Sequence, residues 1–205
     1  MFSYLCNVSD VLRTLPKHQI DDFADSFSKT QYRSKKWLVE TLAQTKLPSS
    51  PSILILGGWY GSFLVPMLQQ QYPECSILLT DKQSEPLSVA EYLHDARYSG
   101  TSKIRMGVVD VEQNLQRVQN QSFDVVINTS CEHMTNLHNI KVANEDALYV
   151  FQACDEKDDP GHINPIQTTD DLVKQCKLTN IIFRGRLDLG HKNRLMIIGK
   201  KQQIL

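Results

Sequence analysis

Residues Ser52 to Phe63 read SILILGGWYGSF. An apolar run that breaks into glycines and then resumes with helical spacing predicts a buried strand, a tight turn and a helix. Turns of this kind bind ligands in many α/β proteins. Gly57, Gly58 and Gly61 let the backbone bend sharply and let a ligand approach without meeting a Cβ. Gly61 opens a helix whose free N–H groups favour anionic or polar ligand groups. The same glycines can also serve strand-to-helix packing alone.

Downstream of this stretch the pattern alternates. SILIL is followed by the helical GSFLVPMLQQQ, CSILLT by SEPLSVAEYLHDARY, KIRMGVV by the short helical VEQNLQRV, and then comes the strand FDVVINT. Ser84 is the expected cap of its helix, with Glu85 and Pro86 in the first turn. Apolar, unalternating strands separated by helices predict a parallel sheet covered on both faces. After ALYVFQAC and a polar loop, TTDDLVKQC begins like a capped helix. NIIFRGRLDL and NRLMIIGKK are then joined only by GHK, which is too short for a helical crossover, so these two strands must be antiparallel neighbours.

Upstream lie about 50 residues of helical preface. SDVLRTL is expected to start at Ser9 or Asp10, QIDDFADSF has helical apolar spacing, and SKKWLVETLAQT places Trp37, Leu38, Thr41 and Leu42 near one face. KLPSSPS breaks the chain before the first strand. The expected organisation is one domain over residues 1–205, with a preface over 1–50 and an α/β core over 51–205.

The 205 residues are 41% hydrophobic and carry a formal net charge of -1, which provides a good core and no general drive toward nucleic acid or anionic membrane. Five scattered cysteines, with no C-x-x-C among them, suggest neither a disulfide framework nor a zinc knuckle and fit a reducing cytoplasm. The N-terminal residues lack a secretory pattern and no apolar run reaches membrane-spanning length. A cytoplasmic location and no membrane partner are therefore expected.

Loops after the strands of a parallel sheet form its ligand crevice. The polar residues there are the glycines, Asp81 with its neighbour Lys82, Asp110, and the run Asn128–His133. Asp81 follows the glycine turn by about 20 residues, the place from which a carboxylate accepts hydrogen bonds from two ribose hydroxyls. Alternatively it starts a helix turn. Asp110 can accept from an adenine amino group or simply cap the next helix.

Together these features resemble the class I S-adenosylmethionine-dependent methyltransferases, and the resemblance covers nearly the whole chain. SKKWL, ILILGGWYG, VINTSCEHM, HIN and NRLMIIGKK are similar to a group of small methyltransferase-like proteins encoded by tailed bacteriophages. The resemblance implies a Rossmann-like fold with a mostly parallel seven-stranded sheet ending in an antiparallel hairpin. It implies S-adenosylmethionine as cofactor, held by Gly57, Gly58, Trp59, Tyr60, Gly61, Asp81, Lys82, Asp110 and Asn128. A phage origin would make the location the host cytoplasm.

The chain departs from that family in its first motif, where Ile55 replaces an acid that orients the cofactor's amino group and Trp59 replaces a glycine. A nicotinamide cofactor fits less well, because GGWYG is not G-x-G-x-x-G and the chain ends in a hairpin. The loop NTSCEHM is the expected reaction site: Glu132 or His133 can take a proton and Asn128 can orient an acceptor, although all three can equally serve to tie down the loop. The acceptor, whether small molecule, protein or nucleic acid, is not encoded in a recognisable motif. His133, His138 and His162 match no metal-site spacing, so no metal is expected. Lys36 and Trp37 are candidates for closing the pocket, with Trp37 otherwise a core anchor. Two other functions fit the same residues: a lyase or hydrolase that degrades S-adenosylmethionine, and a binding subunit that keeps the fold without catalysis.

Overall fold

The computed structural model describes residues 2–94, 103–156 and 160–201. In chain order the elements are α1 (Phe2–Thr14), α2 (Lys17–Asp25), α3 (Lys29–Leu42), β1 (Ser52–Leu56), α4 (Leu64–Gln71), β2 (Ser76–Asp81), α5 (Ser84–Leu93), β3 (Lys103–Val108), α6 (Gln116–Gln119), β4 (Val125–Asn128), β5 (Leu148–Cys154), α7 (Thr169–Cys176), β6 (Asn180–Asp188) and β7 (Asn193–Lys200). The strands form one seven-stranded sheet in the order β3-β2-β1-β4-β5-β7-β6. β2/β3, β1/β4 and β4/β5 are parallel, whereas β5/β7 and β6/β7 are antiparallel. This is the expected Rossmann-like arrangement with a terminal hairpin.

Residue contacts group the chain into two compact units, Met1–Pro51 with Trp59–Val108 and Ser52–Gly58 with Val109–Leu205. In the first unit β2 and β3 pair in register from Ser76↔Lys103 to Asp81↔Val108. The preface helices pack here: α1 lies against α5 and α3 against α4. Tyr4, Val8 and Val11 recur at intervals of three and four, so they form one stripe of α1, which Leu15 continues just past its end. That stripe joins Phe23, Tyr60 and Leu93 in a common core.

Several helix starts differ from the sequence expectation: α3 begins at Lys29 rather than Ser34, α4 at Leu64 rather than Gly61, and α6 at Gln116 rather than Val111. α1 begins at Phe2, which leaves Ser9 and Asp10 inside the helix. α5 is preceded by Gln83 rather than Ser84, and no side-chain hydrogen bond from Gln83 caps it; the Gln83 N–H donates to Asp81 Oδ1 at 3.1 Å. The Asp95–Tyr98 end of the helix expected there lies outside the described residues. Trp37 is half-buried, not a core anchor, and the fully buried positions of α3 are Leu38 and Leu42. Lys36 pairs with Glu40 at 3.6 Å.

In the second unit β4 lies between β1 and β5, with Ile53↔Val125 and Leu56↔Asn128 on one side and Asn128↔Phe151 on the other. All seven residues of β5 are buried, the pattern of a strand covered on both faces of the sheet. β6 is the outer strand of the sheet, and its alternating exposure shows one face turned further toward solvent than the other. α7 opens with the expected cap: the Thr168 hydroxyl accepts from the Asp171 N–H at 3.1 Å, and Asp171 Oδ2 accepts from the Thr168 N–H at 2.9 Å. No helix of the described residues is long and apolar enough to cross a membrane.

Candidate functional site

In the first unit the glycine turn emerges with two left-handed residues, Trp59 at φ 53° and Gly61 at φ 64°. Gly61 is required twice over, because a Cβ there would also sit 2.8 Å from Val65 Cγ2 and 3.0 Å from Leu79 Cδ2. A positive φ is costly for tryptophan, about 1–3 kcal/mol, so its surroundings must impose it. Asp81 does so at the end of β2, where its Oδ2 accepts the Trp59 backbone N–H at 2.9 Å.

The preface holds the rest of this segment. Asp22 Oδ2 on α2 accepts from both the Trp59 indole N–H at 3.0 Å and the Tyr60 hydroxyl at 2.8 Å. Burial, and then the hydrogen bond and charge of Asp22, push the Tyr60 phenol above its ordinary range. The His94 ring donates through Nε2 to the Tyr60 carbonyl at 2.8 Å, and its burial lowers it to about 4, so the ring is neutral at pH 7. The Tyr4 hydroxyl donates to the Ser62 carbonyl, and Ser26 and Ser62 share a hydroxyl–hydroxyl bond of 2.6 Å. The two aromatic residues of the turn therefore pack into the preface, Tyr60 almost fully and Trp59 in part. Lys82 is exposed beside Asp81.

In the second unit Gly57 begins the turn at φ 59°, and a Cβ there would lie 2.7 Å from Met134 Cε and 3.2 Å from Ser130 Cβ. The Ser130 hydroxyl donates to the Gly57 carbonyl at 3.0 Å. Asn128, fully buried at the end of β4, accepts the Ser130 N–H at 2.9 Å and places its Nδ2 3.1 Å from Met134 Sδ. Its side chain thus organises the loop that closes on Gly57. Gly58 is half-buried and has no positive φ. Asp110, after β3, accepts the Glu112 N–H at 2.8 Å and with its carbonyl closes a turn over residues 111–113; the expected helix VEQNLQRV is only the four-residue α6, which follows Leu115 and is not capped by Asp110.

Cys131–His133 forms a single 3-10 turn. Glu132 is 3% exposed, and its Oε1 receives Arg194 Nη1 at 2.7 Å. Arg194 also donates Nη2 to the Thr129 carbonyl, so one β7 side chain clamps both sides of the loop. His133 is exposed, with Nδ1 2.8 Å from the Gly161 carbonyl. Asn164 ties the HIN segment down: its N–H donates to the Glu132 carbonyl at 3.0 Å and its Nδ2 to the Met134 carbonyl at 2.8 Å. Burial, and then the neighbouring Cys176, hold the Cys131 thiol well above the usual thiol range, so it is not a nucleophile.

Two residues here escape sequence reading. Arg194 left one trace, a lone arginine in the apolar run NRLMIIGK. Glu112 left none. It accepts the backbone N–H groups of Thr135 at 2.7 Å and Asn136 at 3.2 Å and so fixes the far end of the loop.

No family model matches the chain, and no curated protein matches it. Solved structures do. CurJ carbon methyltransferase superposes with a TM-score of 0.63 at 13% identity, over 95% of this chain and 64% of its own. A chain of a fibrillarin/Nop5p complex gives 0.61 at 16% identity, over 83% and 82% respectively. Coclaurine N-methyltransferase, bound to N-methylheliamine and SAH, gives 0.54 at 13% identity, over 75% of this chain and 51% of its own. The chain has the class I methyltransferase fold. In that fold's terms, the glycine turn follows the first strand, Asp81 ends the second, and the Asn128–His133 loop follows the fourth.

Proposed function

We propose that the protein binds S-adenosylmethionine and transfers its methyl group to a nucleophilic acceptor, a small molecule, protein or nucleic acid in the cytoplasm. The observation that carries this reading is Asp81. Its Oδ2 accepts from Trp59 and its Oδ1 from Gln83, and each carboxylate oxygen can accept one further hydrogen bond. Two adjacent ribose hydroxyls are the donors that match such a pair. The fold supports the same reading, since a neighbour of known structure carries SAH. Gly57, Gly58, Trp59, Tyr60, Gly61, Lys82, Asp110 and Asn128 are the other cofactor residues of this proposal.

Methyl transfer from a sulfonium is an in-line displacement. The acceptor's lone pair bonds to the methyl carbon while the carbon–sulfur bond breaks and its electron pair leaves with sulfur. The protein has to align and desolvate the two reactants and, for a protonated acceptor, to receive a proton. With Nδ1 turned to the Gly161 carbonyl, His133 offers Nε2 for that purpose. The Glu132 carboxylate is already engaged by Arg194.

A second reading, a binding subunit without catalysis, is favoured by Ile55. It is fully buried in β1 where the resemblance expects a carboxylate for the cofactor's amino group. Calorimetric titration with S-adenosylhomocysteine, S-adenosylmethionine and NAD separates the readings. Saturable binding of the first two and not the third is the expected result. Preference for NAD would overturn the methyltransferase proposal, and no binding to any would favour the subunit. Release of adenosine- or homoserine-containing products with no acceptor present would mark a degrading enzyme instead.

A further inference from the structure

A carboxylate oxygen of Glu132 and one ring nitrogen each of His133 and His162 lie within 4.8 Å of one another. They come from the 3-10 turn after β4 and from the segment after β5, stapled together by Asn164. Glu132 is 3% exposed, and its Oε2 is buried without a hydrogen-bond partner, while Oε1 is held by Arg194. A buried carboxylate oxygen left unsatisfied is costly, and a coordinated cation would remove that cost.

Both imidazoles have Nδ1 turned to a backbone carbonyl. His133 Nδ1 lies 2.8 Å from the Gly161 carbonyl and His162 Nδ1 lies 2.7 Å from the Glu156 carbonyl. An Nδ1–H donated to a carbonyl puts the ring's lone pair on Nε2, and this is how metal-ligating histidines are commonly held. The two rings meet edge to face with centroids 4.9 Å apart.

We propose that Glu132, His133 and His162 form a binding site for a divalent transition-metal cation of the zinc or cobalt kind. Two imidazoles and one carboxylate suit such ions, whereas magnesium and calcium prefer oxygen donors throughout. Arg194 offsets the charge of Glu132, so the site attracts a cation through its nitrogen donors and not through net negative charge. Three protein ligands leave positions open for water or for an oxygen-bearing molecule. The site needs no adenosyl cofactor, but it takes the same His133 Nε2 that the methyl-transfer reading offers as a proton acceptor, so the two uses of that nitrogen exclude one another.

The test is titration of tag-free, metal-stripped full-length protein with Co2+, followed by visible absorption and calorimetry, with Zn2+ as competitor and Mg2+ as control. One Co2+ per chain, displaced by Zn2+ and not by Mg2+, is expected. His133→Ala and His162→Ala should each weaken Co2+ binding by about tenfold or more, and His138→Ala should not. Neither of the two ligand histidines is buried, so both variants should keep the wild-type circular dichroism. Absence of saturable Co2+ and Zn2+ uptake would overturn the site, as would wild-type affinity in either variant, which would move the ion elsewhere, for example to the exposed Cys6.

Discussion

The backbone N–H of Trp59 lies 2.9 Å from Asp81 Oδ2, and that bond holds Trp59 in the left-handed conformation at φ 53°. The carboxylate therefore shapes the glycine turn before any ligand arrives. A substitution there mixes two effects, structural and ligand-binding, which different replacements can separate.

Asp81→Ala removes both acceptors and should cost about 1–3 kcal/mol of stability as well as binding of S-adenosylhomocysteine. Asp81→Asn keeps one acceptor for the Trp59 N–H, so it should cost less stability while still weakening the ligand through loss of the charge and of the second acceptor. Urea denaturation paired with calorimetry reads both. Wild-type affinity in Asp81→Asn would remove the ribose role from this residue.

Asp22 joins the Trp59 indole to the Tyr60 hydroxyl through a single oxygen, at 3.0 and 2.8 Å. Tyr60 is 2% exposed, so Asp22→Ala leaves a phenol hydroxyl without its partner, at a cost of about 1–3 kcal/mol. Tyr60→Phe in that background should recover part of the loss. The Trp59 emission should shift to the red in Asp22→Ala. Unchanged emission and stability would mean that the preface does not hold the turn.

His94 predicts acid sensitivity with a definite sign. Its folded-state value of about 4 lies below the ordinary 6.5, because burial outweighs the hydrogen bond to Tyr60. Below 6.5 the unfolded chain binds a proton that the folded chain refuses, so stability is full above 6.5 and falls as the pH drops toward 4. Below that both states are protonated and the slope from this group vanishes. The loss is on the order of 3 kcal/mol. His94→Gln, which keeps an N–H donor for the Tyr60 carbonyl, should flatten the profile between pH 7 and 4.5 in denaturant titrations. An unchanged slope would assign the acid sensitivity to other groups.

What could be read in advance depended on how local the determining physics is. SILIL announces a buried strand by its unbroken apolar run, and GHK forces an antiparallel return because three residues cannot carry a crossover. The start of α1 at Phe2 comes before the first capping-type residue of the segment, Ser3, and Ser84 lies one position inside its helix, after Gln83. The position of Asp81 was legible from strand order, whereas its bond to a tryptophan N–H 22 residues back was not. The contacts of Arg194 and His162 are set by tertiary packing: Glu132 and Arg194 are 62 residues apart, and His133 bonds across 28 residues to Gly161. Spacing rules for metal ligands assume short separations and are blind to such a set.

The Glu132–Arg194 pair makes the last prediction. Both side chains are nearly withdrawn from water, at 4% and 12% exposure, with Nη1 and Oε1 2.7 Å apart. Desolvation makes a buried pair a weak source of net stability, yet removing one partner strands the other charge. Arg194→Met should therefore destabilise by about 3–5 kcal/mol. Glu132→Gln combined with Arg194→Met should be less destabilising than the sum of the two single changes, because the stranded carboxylate is then neutral. A double-mutant cycle by urea denaturation measures this coupling, expected at about 1 kcal/mol or more for groups in direct contact. Additive losses would mean that Arg194 steadies the loop through the Thr129 carbonyl alone.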